Sequence, residues 1–162
     1  MWTVEIKFWL NGKKIQAETE PDTLLLDFLR EHGCCSVKRG CETANCGLCT
    51  VLMEDRPVLS CSMLAARADG KKIVTLEGMQ KEAEEFGEFL ANEGAEQCGF
   101  CNPGFIMNVF AMLKELSDPT EEEINEYLAG NLCRCSGFMG QTRSILKFLE
   151  YKKAEKEEAK GQ

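Results

Sequence analysis

Only one histidine, His32, occurs among the 162 residues, alongside four prolines, two tryptophans and two tyrosines. No Ser/His/Asp arrangement can be assembled around it, and neither a G-x-G-x-x-G nor a P-loop is present. Long apolar runs are missing too. Stretches such as Phe105 to Phe110 fall far short of the ~20 residues that span a bilayer. Positive charge is scarce: 19 Lys plus Arg stand against 27 Asp plus Glu, a net charge of −8. Phosphate binding needs clustered cations, so nucleic acid and anionic membrane surfaces are poor partners. Residues Met1 to Leu10 alternate charged and apolar side chains and lack the basic n-region and apolar h-region of a signal peptide. A cytoplasmic location is expected.

What the chain has in quantity is cysteine, ten in all. The cytosol keeps thiols reduced, so metal ligation is the stronger explanation and a disulfide framework the weaker. The Lys/Glu-rich end of the chain keeps the hyperthermophile exception in view.

Apolar residues make up 44% of the chain, enough for a core. Thr3 to Leu10 alternates as a strand, Asn11-Gly12 is a type I′ hairpin signal, and Lys13 to Glu18 returns. Pro21-Asp22-Thr23 reads as a helix start with Asp22 or Thr23 as N-cap, and Gly33 as the stop. From Cys34 to Cys49 periodicity disappears. Thr50–Met53 and Val58–Ser60 flank a second hairpin signal, and Lys71 to Leu76 is a further strand. Beyond Gly78 the pattern turns helical. Glu82–Asn92 forms one helix, and Phe105, Ile106, Val109, Phe110, Leu113 and Leu116 share the face of another. Asp118-Pro119 breaks it, Thr120 with Glu123 forms a capping box, and Gly130 ends the helix that follows. A last helix is expected over about Ser144–Lys153. The division is therefore a β-rich domain over 1–78, a helical domain over 79–153 and a charged, disordered tail over 154–162.

Cys41, Cys46, Cys49 and Cys61 have the spacing C-x4-C-x2-C followed by a distant fourth cysteine. That is the plant-type [2Fe–2S] ferredoxin spacing. Two irons bridged by two sulfides need two thiolates each. A loop supplies three at short range, and a hairpin returns the fourth. Gly40 and Gly47 let the backbone bend and bring N–H groups toward sulfur. The alternative is a four-cysteine zinc site, whose paired C-x2–4-C knuckles the spacing fits poorly.

Cys98, Cys101, Cys133 and Cys135 form a second set, C-G-F-C and C-R-C, each pair just ahead of an expected helix. Helix N-termini carry free N–H groups and partial positive charge. Residue chemistry alone leaves this a metal site of open type; C-G-F-C could also serve as a redox dithiol. Cys34 and Cys35 read as ordinary small side chains. His32 suits a helix end, Trp2 and Trp9 strand packing, and the Glu82–Glu88 run a solvated face.

Gly40–Val51 (GCETANCGLCTV) with Pro57–Cys61 (PVLSC) resembles the ferredoxin-like domain of the molybdenum hydroxylases, the xanthine dehydrogenase, aldehyde oxidoreductase and carbon monoxide dehydrogenase family. Gln97–Gly104 (QCGFCNPG) and Gly130–Phe138 (GNLCRCSGF) resemble its second cluster signature. The resemblance covers about Val4 to Tyr151. It implies an α+β fold: a β-grasp [2Fe–2S] domain, then an all-helical four-helix-bundle [2Fe–2S] domain. It implies an electron-transfer subunit lying between a large molybdopterin subunit and a medium FAD subunit. In such relatives the positions of Gln97 and Cys135 lie against the pterin. Electrons would pass from molybdenum through the helical-domain cluster and the ferredoxin-domain cluster to flavin. Ala44-Asn45 departs from a frequent Gly and implies a left-handed Asn45. Asn102 stands where Thr or Ser is frequent, and Ser136-Gly137-Phe138 replaces a common Thr-Gly-Tyr. The wording ETANCGLC and AEQCGFC resembles subunits of purine or xanthine hydroxylases and points toward a purine substrate. Two other functions compete: a free ferredoxin-like carrier, and a zinc-stabilised interaction module. An apolar surface around Phe100, Phe138 and Met139 would favour a permanent partner over a free carrier.

Overall fold

Alternation along β1 (Val4–Leu10) turns Ile6, Phe8 and Leu10 to one face. The computed structural model describes residues 2–135 and 137–160. Asn11 and Gly12 both take positive φ, 51° and 78°, as a type I′ turn requires, and the chain returns as β2 (Lys13–Thr19). β3 (Thr50–Met53) and β4 (Arg56–Leu59) form the second hairpin. Its turn residues, Glu54 and Asp55, accept positive φ without a glycine. β5 (Lys72–Val74) lies parallel to β1 and antiparallel to β3, giving one five-stranded sheet of order β2-β1-β5-β3-β4.

Helix α1 (Leu25–Glu31) buries Leu25, Leu26, Phe28 and Leu29 against that sheet, with the Phe28 ring 5.7 Å from Phe8. This is the β-grasp arrangement. The helix begins later than its sequence signals suggest: Leu24 is the N-cap, not Asp22 or Thr23. Leu24 bridges Leu64, and the Thr23 carbonyl accepts from the Ala65 N–H at 2.8 Å, so both backbones are tied before the first turn. At the other end Gly33 takes φ 89°, with Cys34 N–H on the Leu29 carbonyl and Gly33 N–H on the Arg30 carbonyl, a Schellman stop. His32 caps the helix, its Nδ1 2.8 Å from the Phe28 carbonyl. Trp2 precedes β1 and is exposed, outside the strand packing expected of it, whereas Trp9 packs on the outer face of the strand against its cross-strand partner Lys14. The register settles Trp9: Phe8 and Leu10 take the inward positions on either side of it.

Four helices make the second half: α2 (Gln80–Asn92), α3 (Asn102–Glu115), α4 (Glu121–Tyr127) and α5 (Gly137–Lys160). They close over a core that includes Phe86, Leu90, Phe105, Val109, Met112, Ile124, Ile145 and Phe148. The capping box forms, with the Glu123 N–H on Thr120 Oγ1 and the Thr120 N–H on the Glu123 carboxylate. α4 ends at the Leu128 C-cap, before Gly130.

α5 differs most from expectation. It begins at Gly137 rather than near Ser144, because its weak helix formers have tertiary partners. The Thr142 hydroxyl donates to Asn125 Oδ1 of α4 at 2.7 Å, and Gly140 lies close against Ala95. It also continues through residues 154–160, where Lys152 pairs with Glu85 and Glu155, and Tyr151 donates to Glu155. Of the expected tail, 161–162 lie outside the described residues, as does the Ser136 of the family comparison. No described helix is long and apolar enough to cross a membrane.

α3 is buried on two sides. Phe105 and Val109 face the helical core, whereas Met107 and Ala111 pack on Leu52 of β3. That double contact seats the helical half on the sheet and brings the cysteine segments together.

Candidate iron–sulfur centres

The loop ahead of Cys41 is fastened to α1. The Arg39 guanidinium grips both oxygens of Asp27 at 2.6 and 2.7 Å, and Arg30 donates to the Cys35 and Val37 carbonyls. The loop then wraps sulfur with backbone. The Cys41 thiol receives N–H groups of Thr43, Asn45 and Cys46, which lower its pKa to about 6. The left-handed residue of this wrap is Ala44, φ 55°, not Asn45. Asn45 instead aims its N–H at Cys41 and its amide at Thr43 Oγ1, 3.0 Å away. Gly47 (φ 72°) completes the bend toward Cys49. Cys61 arrives on a short 3₁₀ turn after β4, anchored by the Ser60 hydroxyl on the Cys49 carbonyl at 2.7 Å.

The four thiols meet two by two. Cys41 hydrogen-bonds with Cys46, and Cys49 with Cys61. Burial, then the Cys49 contact, pushes the Cys61 thiol up to about 12, with Cys41 and Cys46 adding to the shift. Burial also raises Cys46, against a hydrogen bond from the Leu48 N–H.

The second quartet repeats the pattern. Cys98 and Cys135 sulfurs lie 3.5 Å apart, and Cys101 pairs with Cys133. Burial and then Cys133 push Cys101 up to about 11, whereas the Phe100 N–H, followed by the Cys135 contact, lowers Cys98. Cys101 is the N-cap residue of α3, and the Gly137 N–H at the start of α5 donates to Cys133 Sγ at 3.3 Å. Two helix N-termini therefore do converge on this set. Gln141, buried in α5, adds an amide N–H toward Cys101 Sγ at 3.8 Å. Nothing in its spacing marked it beforehand.

This donor set fits a two-iron cluster. Each iron takes two thiolates, so a [2Fe–2S] centre needs two thiol pairs side by side with N–H groups aimed at sulfur. Among the described residues no three Cys, His, Asp or Glu side chains are arranged to hold a single metal ion. A lone tetrahedral ion requires all four sulfurs about 2.3 Å from one point.

Cys34 and Cys35 join neither quartet. Cys34 sits in the sheet core, its thiol raised by burial, and Cys35 is exposed. Gln97, Cys98 and Cys135 are exposed at one end of the helical half. Phe100, Leu132, Phe138 and Met139 surround them with apolar surface, 48–68% exposed. Leu132 was not among the residues anticipated there.

The quartets also touch. The Leu132 N–H donates to the Cys46 carbonyl at 2.9 Å, and Lys38 reaches the Phe100 carbonyl at 3.3 Å, its ammonium 4.7 Å from the centre of the Phe100 ring.

Comparison with known proteins agrees with this geometry. The profile of a 2Fe-2S iron-sulfur cluster binding domain matches residues 8–85, and that of a [2Fe-2S] binding domain matches 75–146. The chain is 44% identical over 139 residues to the nicotinate dehydrogenase small FeS subunit of Eubacterium barkeri, covering 84% of this chain and 88% of that protein. It is 45% identical over 148 residues to the xanthine dehydrogenase iron-sulfur-binding subunit of Escherichia coli O157:H7, covering 89% and 93%. Among solved structures, quinoline 2-oxidoreductase from Pseudomonas putida 86 superimposes with a TM-score of 0.82 at 37% identity, over 88% of this chain and 90% of that one.

Proposed function

We infer that this chain, which belongs to the small iron–sulfur subunits of the molybdenum hydroxylase family, carries electrons between a large molybdopterin subunit and a medium FAD subunit. The observation that carries this is the pairing of its thiols. Cys41 with Cys46, and Cys49 with Cys61, would hold the two irons of one [2Fe–2S] cluster. Cys98 with Cys135, and Cys101 with Cys133, would hold those of the other. When bound, each cluster supplies a site that accepts and returns one electron. The residues around it supply N–H groups that stabilise negative charge on sulfur and so tune the potential.

We put the division between the two cluster-binding units near Gly78, a reading supported by the separate sheet and helical cores on either side of it. Electrons enter at the helical unit, because its quartet opens onto the apolar surface around Phe138. A partner that covers that surface would bring its pterin against Gln97 and Cys135. The reducing cytoplasm suits thiols kept as ligands.

Small-subunit relatives are named for nicotinate, xanthine and nicotine, and a solved neighbour for quinoline, whereas the relatives named for aldehydes are longer chains of which this one covers 11–16%. This supports a nitrogen heteroaromatic as the substrate class of the assembled enzyme, with purines one member of it.

The decisive experiment is isolation of the native complex. Metal analysis should give about four irons and four sulfides per chain, and reduction should give two distinct EPR signals. Larger subunits carrying molybdenum and flavin should co-purify. Zinc in place of iron, or a chain that purifies alone, overturns the proposal.

A further inference from the structure

Asn131 is a buried amide, 5% exposed, standing where three chain segments meet. Its Oδ1 accepts from Asn108 Nδ2 of α3 at 2.6 Å. Its Nδ2 donates to the Gly47 carbonyl in the loop of the first quartet at 3.4 Å. Its own N–H is held by the Leu128 carbonyl at 2.9 Å, at the end of α4. The residue after it, Leu132, donates its N–H to Cys46, and the next residue is Cys133. A cysteine of one quartet is thus joined to a cysteine of the other by one hydrogen bond and one residue of backbone.

The neighbours leave little room for variation. A methyl on Gly47 would lie 2.7 Å from the Gly130 carbonyl oxygen. A buried amide without partners is destabilising, so a side chain at this point is stable only with its contacts made. Here both ends are satisfied by partners from different halves of the fold. That gives Asn131 a directional task that an apolar residue of similar size could not perform.

From this geometry we propose that Asn131, braced by Asn108, is a positioning residue for electron transfer, setting the separation and hydrogen-bonded contact between the two cluster sites through Cys46 and Cys133. The proposal rests on both quartets carrying clusters. Asn131 touches neither quartet by a sulfur contact; it acts through the Leu132–Cys46 bond.

The test uses the full chain with both clusters in place, alone or in whatever complex it purifies in, carrying Asn131→Ala, Asn131→Asp or Asn108→Ala. Asp keeps the acceptor for Asn108 but presents an acceptor to the Gly47 carbonyl. Both clusters are reduced chemically with dithionite, and their magnetic interaction is read as the splitting of the EPR lines. This readout needs neither substrate nor flavin, so it stands or falls separately from the partner assignment. The expected result is full iron content with altered splitting in Asn131→Ala and Asn131→Asp, and a smaller change in Asn108→Ala. Rapid-mixing measurement of electron passage between the clusters should slow about tenfold in the Asn131 variants, in line with outer-shell substitutions at metal sites. Unchanged splitting and unchanged rate in all three variants overturn the proposal. So does loss of one cluster in every variant, which would assign Asn131 to holding that cluster rather than to coupling the two.

Discussion

Gly104 of α3 lies against Gly47 so closely that a methyl on Gly104 would meet the Gly47 carbonyl oxygen and come within 2.8 Å of the Leu48 Cα. Backbone packs on backbone here, at the contact between the helical half and the first cysteine loop. Alanine is the better helix former by up to about 1 kcal/mol, but these neighbours are main chain and have no rotamer to swing away. Gly104→Ala should therefore destabilise the chain by about 1–3 kcal/mol, the usual cost of overpacking. Denaturant titration of the cluster-loaded protein checks this; a stability equal to or above that of the parent would contradict it.

Glu77 joins the start of the helical half to the cysteine loop. Its carboxylate accepts from the Ser36 N–H at 2.8 Å, the Ser36 hydroxyl at 2.6 Å and the Thr75 hydroxyl at 2.6 Å. Burial opposes its charge, yet these hydrogen bonds outweigh burial and hold the carboxyl below its ordinary value. Because the folded-state pKa is depressed, the stabilisation is full above the unfolded value of about 4.3 and is lost as pH falls through the folded value. Glu77→Gln should cost about 1–2 kcal/mol at neutral pH. That gap should narrow in melts run at progressively lower pH below about 4.3. A gap that holds steady across the titration would rule out this linkage.

The apolar surface around Cys98 and Cys135 predicts an assembly phenotype. Phe138→Asp places a charge at a half-exposed site, so the isolated chain should keep its fold and both clusters. Binding to the large subunit should fall by at least about tenfold, as expected of an aromatic anchor worth more than about 1.4 kcal/mol. Size-exclusion chromatography of co-expressed subunits reads this directly. Full assembly of the variant would place the interface elsewhere.

Cys61 is the cysteine of its quartet most distant in sequence from the other three, and it is paired with Cys49. Cys61→Ser should remove the first cluster and spare the second, lowering iron from about four to about two per chain and erasing one EPR signal. Loss of both signals would mean that the helical quartet depends on the first cluster for its geometry.

Much of this was legible in the residues themselves. The C-x4-C-x2-C spacing, the Asn11-Gly12 turn and the Thr120–Glu123 box each act within a few residues, where local geometry leaves few options. The second quartet was less legible: C-G-F-C and C-R-C name candidate ligands without naming a metal. Its thiol pairing appears only once the starts of α3 and α5 are side by side. The left-handed residue of the first loop is Ala44 because the N–H groups of Thr43 before it and of Asn45 and Cys46 after it all face the Cys41 sulfur, a demand that residue preference could not reveal. The early start of α5 likewise depends on neighbours, Asn125 bonded to Thr142 and Ala95 packed on Gly140, that no local pattern announces.

The sequence by itself determined which cysteines could serve as ligands, and in which order the two sets occur, because ligand chemistry is written into residue type and short spacing. Tertiary structure alone decided how the two sets meet. The bonds from Leu132 to Cys46 and from Asn131 to Gly47 join residues more than eighty positions apart. Such contacts have no local signature. They exist because α3, buried on both sides, presses a glycine onto a glycine and holds the two loops within one hydrogen bond of each other.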